Sequence, residues 1–206
     1  QLSITSRAGR RPGMTKFGAV GPAYPGAEVK VADDGEILLR GGNVFAGYYK
    51  NQEATDECLI DGWLHSGDLG SFDSDGFLTI TGRKKDIIIT AGGKNVAPKN
   101  LEAGIKDNLL VSEAVVIGDR RKFLTALVTL NPETADAFGV QHGITEPLYQ
   151  SAVIRTDIQK TIDEMNIRLG RVGQVKKFVI LPRELSIEDG ELTGTLKVKR
   201  NAVNEH

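Results

Sequence analysis

The sequence predicts an α+β protein built in pieces. A small antiparallel β-barrel or sandwich is expected over residues 1–82. A short connector follows at 83–86, and a compact α+β region at 87–206. Three observations carry this. Short strand-like runs separated by turns fill the first part. Helical periodicity is concentrated after Pro98. The formal charge also changes sign at the connector: residues 1–82 hold 7 Lys/Arg against 11 Asp/Glu (net −4), and residues 83–206 hold 19 against 16 (net +3).

The strand-like runs of the first part are Gly26–Ala32, Glu36–Arg40, Val44–Tyr49 and Phe77–Thr81. The turn Asp33-Asp34-Gly35 joins two of them and is a hairpin signal. Gln52–Leu59 is the one helical candidate there. The connector Arg83-Lys84-Lys85-Asp86 precedes the β-branched run Ile87–Thr90, which reads as a buried strand ending in the pair Gly92-Gly93. Beyond it, a helix is expected from Pro98 to about Asn108, with Leu101 and Ile105 on one face. Strands are expected at Ala114–Gly118 and Leu124–Leu130, joined by the charged turn Asp119–Lys122. A short helix is expected at Pro132–Phe138, a long one at Leu148–Leu169, and a strand at Phe178–Leu181. The apolar stripe of the long helix, Val153, Ile154, Ile158, Ile162, Met165 and Leu169, reads as core packing rather than a lipid or partner site.

Composition excludes several classes. A net charge of −1 gives no bulk electrostatic case for nucleic-acid or membrane binding. Cys58 is the only cysteine, so no intrachain disulfide can form, and the composition suits a reducing cytoplasm. No transmembrane-length apolar run is present. His65, His142 and His206 lack metal-ligand spacing, and His65 is assigned to local packing. Residues 1–17, with Arg7, Arg10, Arg11 and Lys16, read as a solvated lead-in. The start at Gln1 reads as that of a fragment.

Three stretches carry chemistry. They are Gly62-Trp63-Leu64-His65-Ser66-Gly67-Asp68-Leu69, then Asp75 through Gly82-Arg83, and near the end Leu192-Thr193-Gly194-Thr195-Leu196-Lys197-Val198-Lys199-Arg200. Taken alone, Asp68 reads as a turn residue bonding its own backbone. Arg83 alone reads as a surface ion pair, Lys85 as a solvated charge, Gly92 and Gly93 as a plain turn, and Lys197 as part of a basic tail.

Together, and in this order, these stretches resemble the AMP-forming acyl-CoA synthetases of the adenylate-forming superfamily, from about Gly18 to Arg200. The resemblance implies that residues 1–82 are the last subdomain of an N-terminal adenylating domain, that 83–86 form a hinge, and that 87–206 form a mobile C-terminal domain. It implies that Asp68 and Arg83 contact the ATP ribose, since a carboxylate can accept from both vicinal hydroxyls. Lys85 falls on the hinge position of the pattern Gly-Arg-any-Asp/Lys. Gly92 and Gly93 fall on the loop that approaches the pantetheine of coenzyme A. Lys197 falls on the catalytic lysine and Arg200 on the trailing arginine of a pattern like Arg-Thr-any-Ser-Gly-Lys-Ile-any-Arg. Thr195-Leu196 replaces the Ser-Gly pair, a departure that resembles the long-chain fatty acid branch.

The implied activity is acyl-adenylate and then acyl-CoA formation from a fatty acid, ATP with Mg2+, and coenzyme A. The magnesium site, the phosphate loop and the acyl pocket would lie in the N-terminal domain of the same protein, outside this chain. No nucleic-acid partner is implied, and peripheral membrane association of the parent is compatible with the resemblance. The alternatives are another adenylate-forming enzyme, such as a peptide-synthetase adenylation domain or a fatty acyl-AMP ligase, and a non-enzymatic interaction module. Retention of Asp68, Arg83 and Lys197 together argues against the module.

Overall fold

The computed structural model describes residues 16–205. The chain divides into two compact units, one ending at Lys85 and the other beginning at Asp86.

The first unit is a single antiparallel sheet. β1 (Ala27–Val31) and β2 (Glu36–Gly41) form the expected hairpin. The Glu36 N–H is caught by the Asp34 carboxylate at 3.1 Å, which shapes the turn. α1 (Gln52–Cys58) starts at Asn51, whose side chain accepts from the Ala54 N–H. β3 (Leu59–Ile60), β4 (Trp63–Phe72) and β5 (Leu78–Arg83) complete the sheet. Leu64 pairs with both Leu39 and Leu59, and Leu69 with both Glu36 and Gly82. A strand has two edges, so β2 takes one edge of β4 while β3 and β5 share the other.

Alternation puts Ile37, Leu39 and Leu64 on one face, where with Leu78 they form the core of this unit. On the other face Lys30 and Arg40 lie over the Trp63 ring, at 4.0 and 4.5 Å from its centre.

No barrel closes among the described residues, which corrects the expected barrel or sandwich. One reason is local. Val44–Tyr49, expected as a strand, is a series of bends and turns with only the isolated bridge Tyr48↔Asn51. It packs on itself, with Phe45 edge-on to Tyr48 and the Tyr48 N–H bonded to Thr55 Oγ1 at 2.9 Å, so it supplies no edge strand. A second correction concerns Trp63–Phe72. Its glycines and polar residues obscure a ten-residue strand, and Asp68 lies in that strand rather than in a free turn.

The second unit is a mixed three-stranded sheet covered on both faces, by helices on one and by the C-terminal segment with its short helix on the other. β6 (Ile88–Ile89) and β7 (Asn95–Val96) form a small hairpin. Ile88 is buried and Ile89 is exposed, so the β-branched run is covered on one face only and not buried throughout. α2 (Pro98–Lys106) begins at its proline. β8 (Val111–Ile117) and β9 (Leu124–Leu130) pair antiparallel. α3 (Pro132–His142) and α4 (Ala152–Ile167) lead to β10 (Val175–Ile180), which pairs parallel to β9.

Ala114, Val116, Ala126 and Val128 face Leu101, Ile105, Ile154, Ile158 and Ile162 in one core. Of the stripe expected on α4, Ile154, Ile158 and Ile162 are buried, whereas Val153 is exposed. Val115 and Leu127 point to the opposite face, where Leu185, Leu192, Val198 and Val203 of the C-terminal segment cover them. That segment ends in α5 (Arg200–Glu205).

Candidate functional site

Asp68 and Arg83 are brought together. They are register partners across β4 and β5, and Arg83 Nε lies 2.8 Å from Asp68 Oδ1. The Asp68 side chain is 11% exposed and that of Arg83 is 59% exposed, so the carboxylate is held at the base of the pair and the guanidinium at its surface. Among the described residues no other group bonds the Asp68 carboxylate, which leaves its second oxygen able to accept from a ligand.

The strand is irregular at this point. From His65 to Leu69, four steps of β4 oppose the two steps of β2 from Leu38 to Glu36. The resulting bulge holds Gly67 at φ +69°, where a side chain would be strained. Within the bulge the Asp68 N–H bonds to Ser66 Oγ at 3.1 Å.

A cluster not anticipated from the sequence supports the bulge. Glu36 is 4% exposed. Its Oε1 accepts the Gly67 N–H at 2.9 Å, and its Oε2 accepts Lys84 Nζ at 2.9 Å and faces His65 Nδ1 at 3.1 Å. Lys84 also bonds Asp34 Oδ2 at 2.7 Å. His65 is therefore more than a packing residue. Burial alone would push the Glu36 carboxyl up, but the Lys84, His65 and Gly67 bonds together outweigh it and hold the group below the usual carboxylate range. Asp34 is lowered by its bond to Lys84, and Lys84 is raised by Asp34 and Glu36. The available signal was an acid opening the apolar run Glu36-Ile37-Leu38-Leu39.

Arg83 closes β5 and Lys84–Asp86 form a single 3-10 turn that straddles the division between the units. Lys85 is exposed, and no partner for its ammonium exists among the described residues.

In the second unit, Gly92 and Gly93 lie in the β6–β7 loop. Thr90 closes it: its carbonyl accepts the Gly93 N–H at 2.8 Å and its hydroxyl accepts the Lys94 N–H at 3.2 Å. Gly93 sits at φ +74°, which explains the residue. Gly92 faces open space, so no contact within the chain demands glycine there.

Lys197 lies on a tight loop between Leu192 and Val198, which form an isolated bridge. The Thr193 N–H bonds the Lys197 carbonyl at 2.8 Å, and the Lys197 N–H bonds Thr193 Oγ1 at 3.0 Å. Leu196 is held at φ +58°. The Lys197 side chain is exposed, and among the described residues no carboxylate pairs with it.

The loop is anchored on both sides. Upstream, the buried Glu191 carboxylate holds Arg183 at 2.7 and 3.0 Å and the Ser186 N–H at 3.0 Å. Downstream, Arg200 bonds the Val116 carbonyl and the Glu102 carboxylate, both at 2.9 Å, while Glu102 also accepts the Val116 N–H at 2.8 Å. Arg200 is thus an anchor, and Glu102 is its partner, which no motif revealed.

Lys16 of the lead-in pairs with Asp73 and Asp75 at 2.6 and 2.7 Å, whereas Arg7, Arg10, Arg11 and His206 lie outside the described residues. Among the described residues no three His, Cys, Asp or Glu side chains converge to hold a metal ion, and no helix is long and apolar enough to cross a membrane.

Residues 85–206 match the family described as AMP-binding enzyme C-terminal domain. The chain belongs to that family. Over 92% of its length it is 45% identical to the long-chain-fatty-acid–CoA ligase FadD15 of Mycobacterium tuberculosis, covering 32% of that protein. Over 90% of its length it is 39% identical to the long-chain-fatty-acid–CoA ligase ACSBG1 of Rattus norvegicus, covering 30% of it. Among solved structures it is similar to o-succinylbenzoate CoA synthetase (MenE) of Bacillus subtilis in complex with the acyl-adenylate intermediate OSB-AMP, with 28% identity and a TM-score of 0.68, over 93% of this chain and 36% of that one. The AMP-binding enzyme C-terminal match covers the unit that carries Gly92, Gly93 and Lys197. The chain spans about a third of the length of the curated relatives it matches.

Proposed function

We propose that this chain is the C-terminal portion of an ATP-dependent, AMP-forming long-chain fatty acid–CoA ligase that works in the cytoplasm. Residues 1–82 would belong to its adenylating domain, 83–86 to its hinge and 87–206 to its mobile domain. The observation that carries the proposal is the Asp68–Arg83 pair at the end of β5, followed in the same chain by a lysine on an anchored loop that has no carboxylate partner among the described residues. A ribose anchor needs a fixed acceptor, and a transferable cation must not be neutralised by its own domain.

In the first half-reaction a fatty acid carboxylate oxygen attacks the α-phosphorus of ATP. The bond to the β,γ-phosphates breaks and pyrophosphate leaves. Asp68 accepts from the ribose hydroxyls and Arg83 holds their orientation. Lys197 supplies positive charge where the carboxylate and the α-phosphate are brought together. In the second, the coenzyme A thiol loses its proton, its sulfur attacks the acyl carbon, and the carbon–oxygen bond to AMP breaks. Lys85 takes up the backbone change between the two, and the Gly92–Gly93 loop leaves room for the pantetheine arm. Among the described residues no cluster of side chains fits a metal ion, so no step is assigned to Mg2+ held here.

The test uses the intact parent protein. Lys197→Ala is expected to depress fatty-acid-dependent ATP–pyrophosphate exchange by roughly two to three orders of magnitude. Thioester formation from synthetic acyl-adenylate should be nearly intact. Equal loss in both halves would make Lys197 structural. Selective loss in Lys199→Ala instead would move the assignment by two positions.

A further inference from the structure

We propose that Lys84 is a positioning residue, clamped by Asp34 and Glu36, which through Glu36 fixes the bulge that presents Asp68 to a vicinal diol. This rests on the ribose-binding reading of Asp68, but not on the identity of the acyl substrate. The family pattern leaves residue 84 open, and it assigns no role to Glu36.

The geometry forms one chain of contacts. Lys84 Nζ is the full cation on the Glu36 carboxylate, at 2.9 Å. Glu36 is buried, and a buried carboxylate stays ionised only when its charge is matched and its oxygens are bonded. The same carboxylate holds the Gly67 N–H at 2.9 Å. Gly67 stands at φ +69°, immediately before Asp68. Removing the Lys84 ammonium weakens the ionised form of Glu36. A carboxyl that takes up a proton is a poorer acceptor for Gly67, and the bulge loses the bond that holds its left-handed glycine.

The clamp also separates two tasks. Arg83 is tied to Asp68 and Lys84 to Glu36, so the first two residues of the connector are fastened within the first unit. Lys85 is the first without a partner among the described residues. A backbone change that begins at Lys85 leaves the ribose anchor undisturbed.

Two measurements test this. The first is amide hydrogen exchange by NMR on the 206-residue chain and its Lys84→Met, Lys84→Arg and Asp34→Asn variants. Gly67 N–H exchange is expected to rise about tenfold or more in Lys84→Met and to stay within about threefold in Lys84→Arg, with β9 amides unchanged. Asp34→Asn, which removes only the exposed half of the clamp, should fall between them.

The second is adenylation kinetics of the intact parent. Lys84→Met should raise KM for ATP about tenfold with kcat within about threefold, and Lys84→Arg should restore it. Unchanged Gly67 exchange in Lys84→Met overturns the proposal. So does faster exchange with an unchanged KM, and so does an Asp34→Asn effect larger than that of Lys84→Met. If the unsubstituted parent shows no ATP–pyrophosphate exchange with any fatty acid, the functional reading fails instead, and the Gly67 exchange ratio still decides the clamp.

Discussion

Asp68 and Lys197 are held in opposite ways. Asp68 is buried in a ten-residue strand, paired to Arg83 at 2.8 Å and backed by the Glu36 cluster. Lys197 is exposed on a loop whose backbone is bonded internally and anchored at both ends, and its side chain has no carboxylate partner among the described residues. On the proposed function, the difference matches what each group would have to do. An acceptor for a ribose serves best when it does not move, and a sheet with a hydrogen-bonded bulge supplies that rigidity. A cation that must reach a reacting phosphate and then leave would be held back by any partner in its own unit.

The largest effect that sharpens this contrast is expected at the connector. Proline at Lys85 fixes φ near −65° and biases Lys84 toward extended backbone. In the parent, Lys85→Pro should keep adenylation within about tenfold and lose thioester formation by about a hundredfold or more. Lys85→Ala should spare both halves. Single-turnover kinetics of each half-reaction decides it, and equal, matching losses in the two variants would remove the hinge assignment.

The next effect concerns the anchor of the lysine loop. Glu102→Ala leaves the Arg200 guanidinium, 20% exposed, without its carboxylate. It should destabilise the second unit by about 2 kcal/mol. Urea denaturation of the chain measures this, and a cost near zero would show that the anchor does not hold the loop.

Acid separates the two units more gently. Glu28, Asp34, Glu36 and Asp73 in the first unit are all depressed. Arg40 is the main cause for Glu28, Lys84 for Asp34 and Lys16 for Asp73. For Glu36 the burial penalty is outweighed by the bonds from Lys84, His65 and Gly67. A depressed carboxyl contributes stability that is present above its unfolded value, about pH 4, and is lost as pH falls through the folded value. Lys84 has the opposite sign: its contribution is full below the ordinary lysine value and is lost as pH rises through its raised one. In the second unit Glu146 is lowered chiefly by its own backbone, and the buried Glu191 carboxylate is bonded by Arg183 and the Ser186 N–H. Four lowered carboxyls lie in the first unit, each bonded to a lysine or arginine of the same unit, so the first unit is expected to loosen first in acid. Trp63, the single tryptophan, reports that unit by fluorescence, while helical circular dichroism reports mainly the second. Coincident acid transitions would contradict the expectation.

The smallest effect lies within the lysine loop. Leu196 carries φ +58°, and it occupies the position where the family pattern has glycine. Leu196→Gly removes left-handed strain worth about 1 kcal/mol, partly offset by the greater freedom of glycine in the unfolded chain. A rise in melting temperature of a few degrees or less is expected. A clear fall would mean that the exposed leucine packs more than its conformation costs.

Much was legible before the structure. Local chemistry sets the β1–β2 hairpin through Asp34 and Gly35, the start of α2 through Pro98, and the buried face of α4 through Ile154, Ile158 and Ile162. These signals lie within one or two turns of chain, so residue identity and spacing suffice. The order of the motifs also placed Asp68, Arg83, Lys85, Gly92, Gly93 and Lys197 as candidates by resemblance. Only the tertiary structure decided that the first sheet stays open, that Asp68 sits in a strand beside Arg83, and that Arg200 anchors the lysine loop. Glu36 and Lys84 are 48 residues apart, and Glu102 and Arg200 are 98 apart. Charges that far apart leave no period or spacing in the chain, because their pairing is fixed by which strands and helices pack together rather than by anything local to either residue.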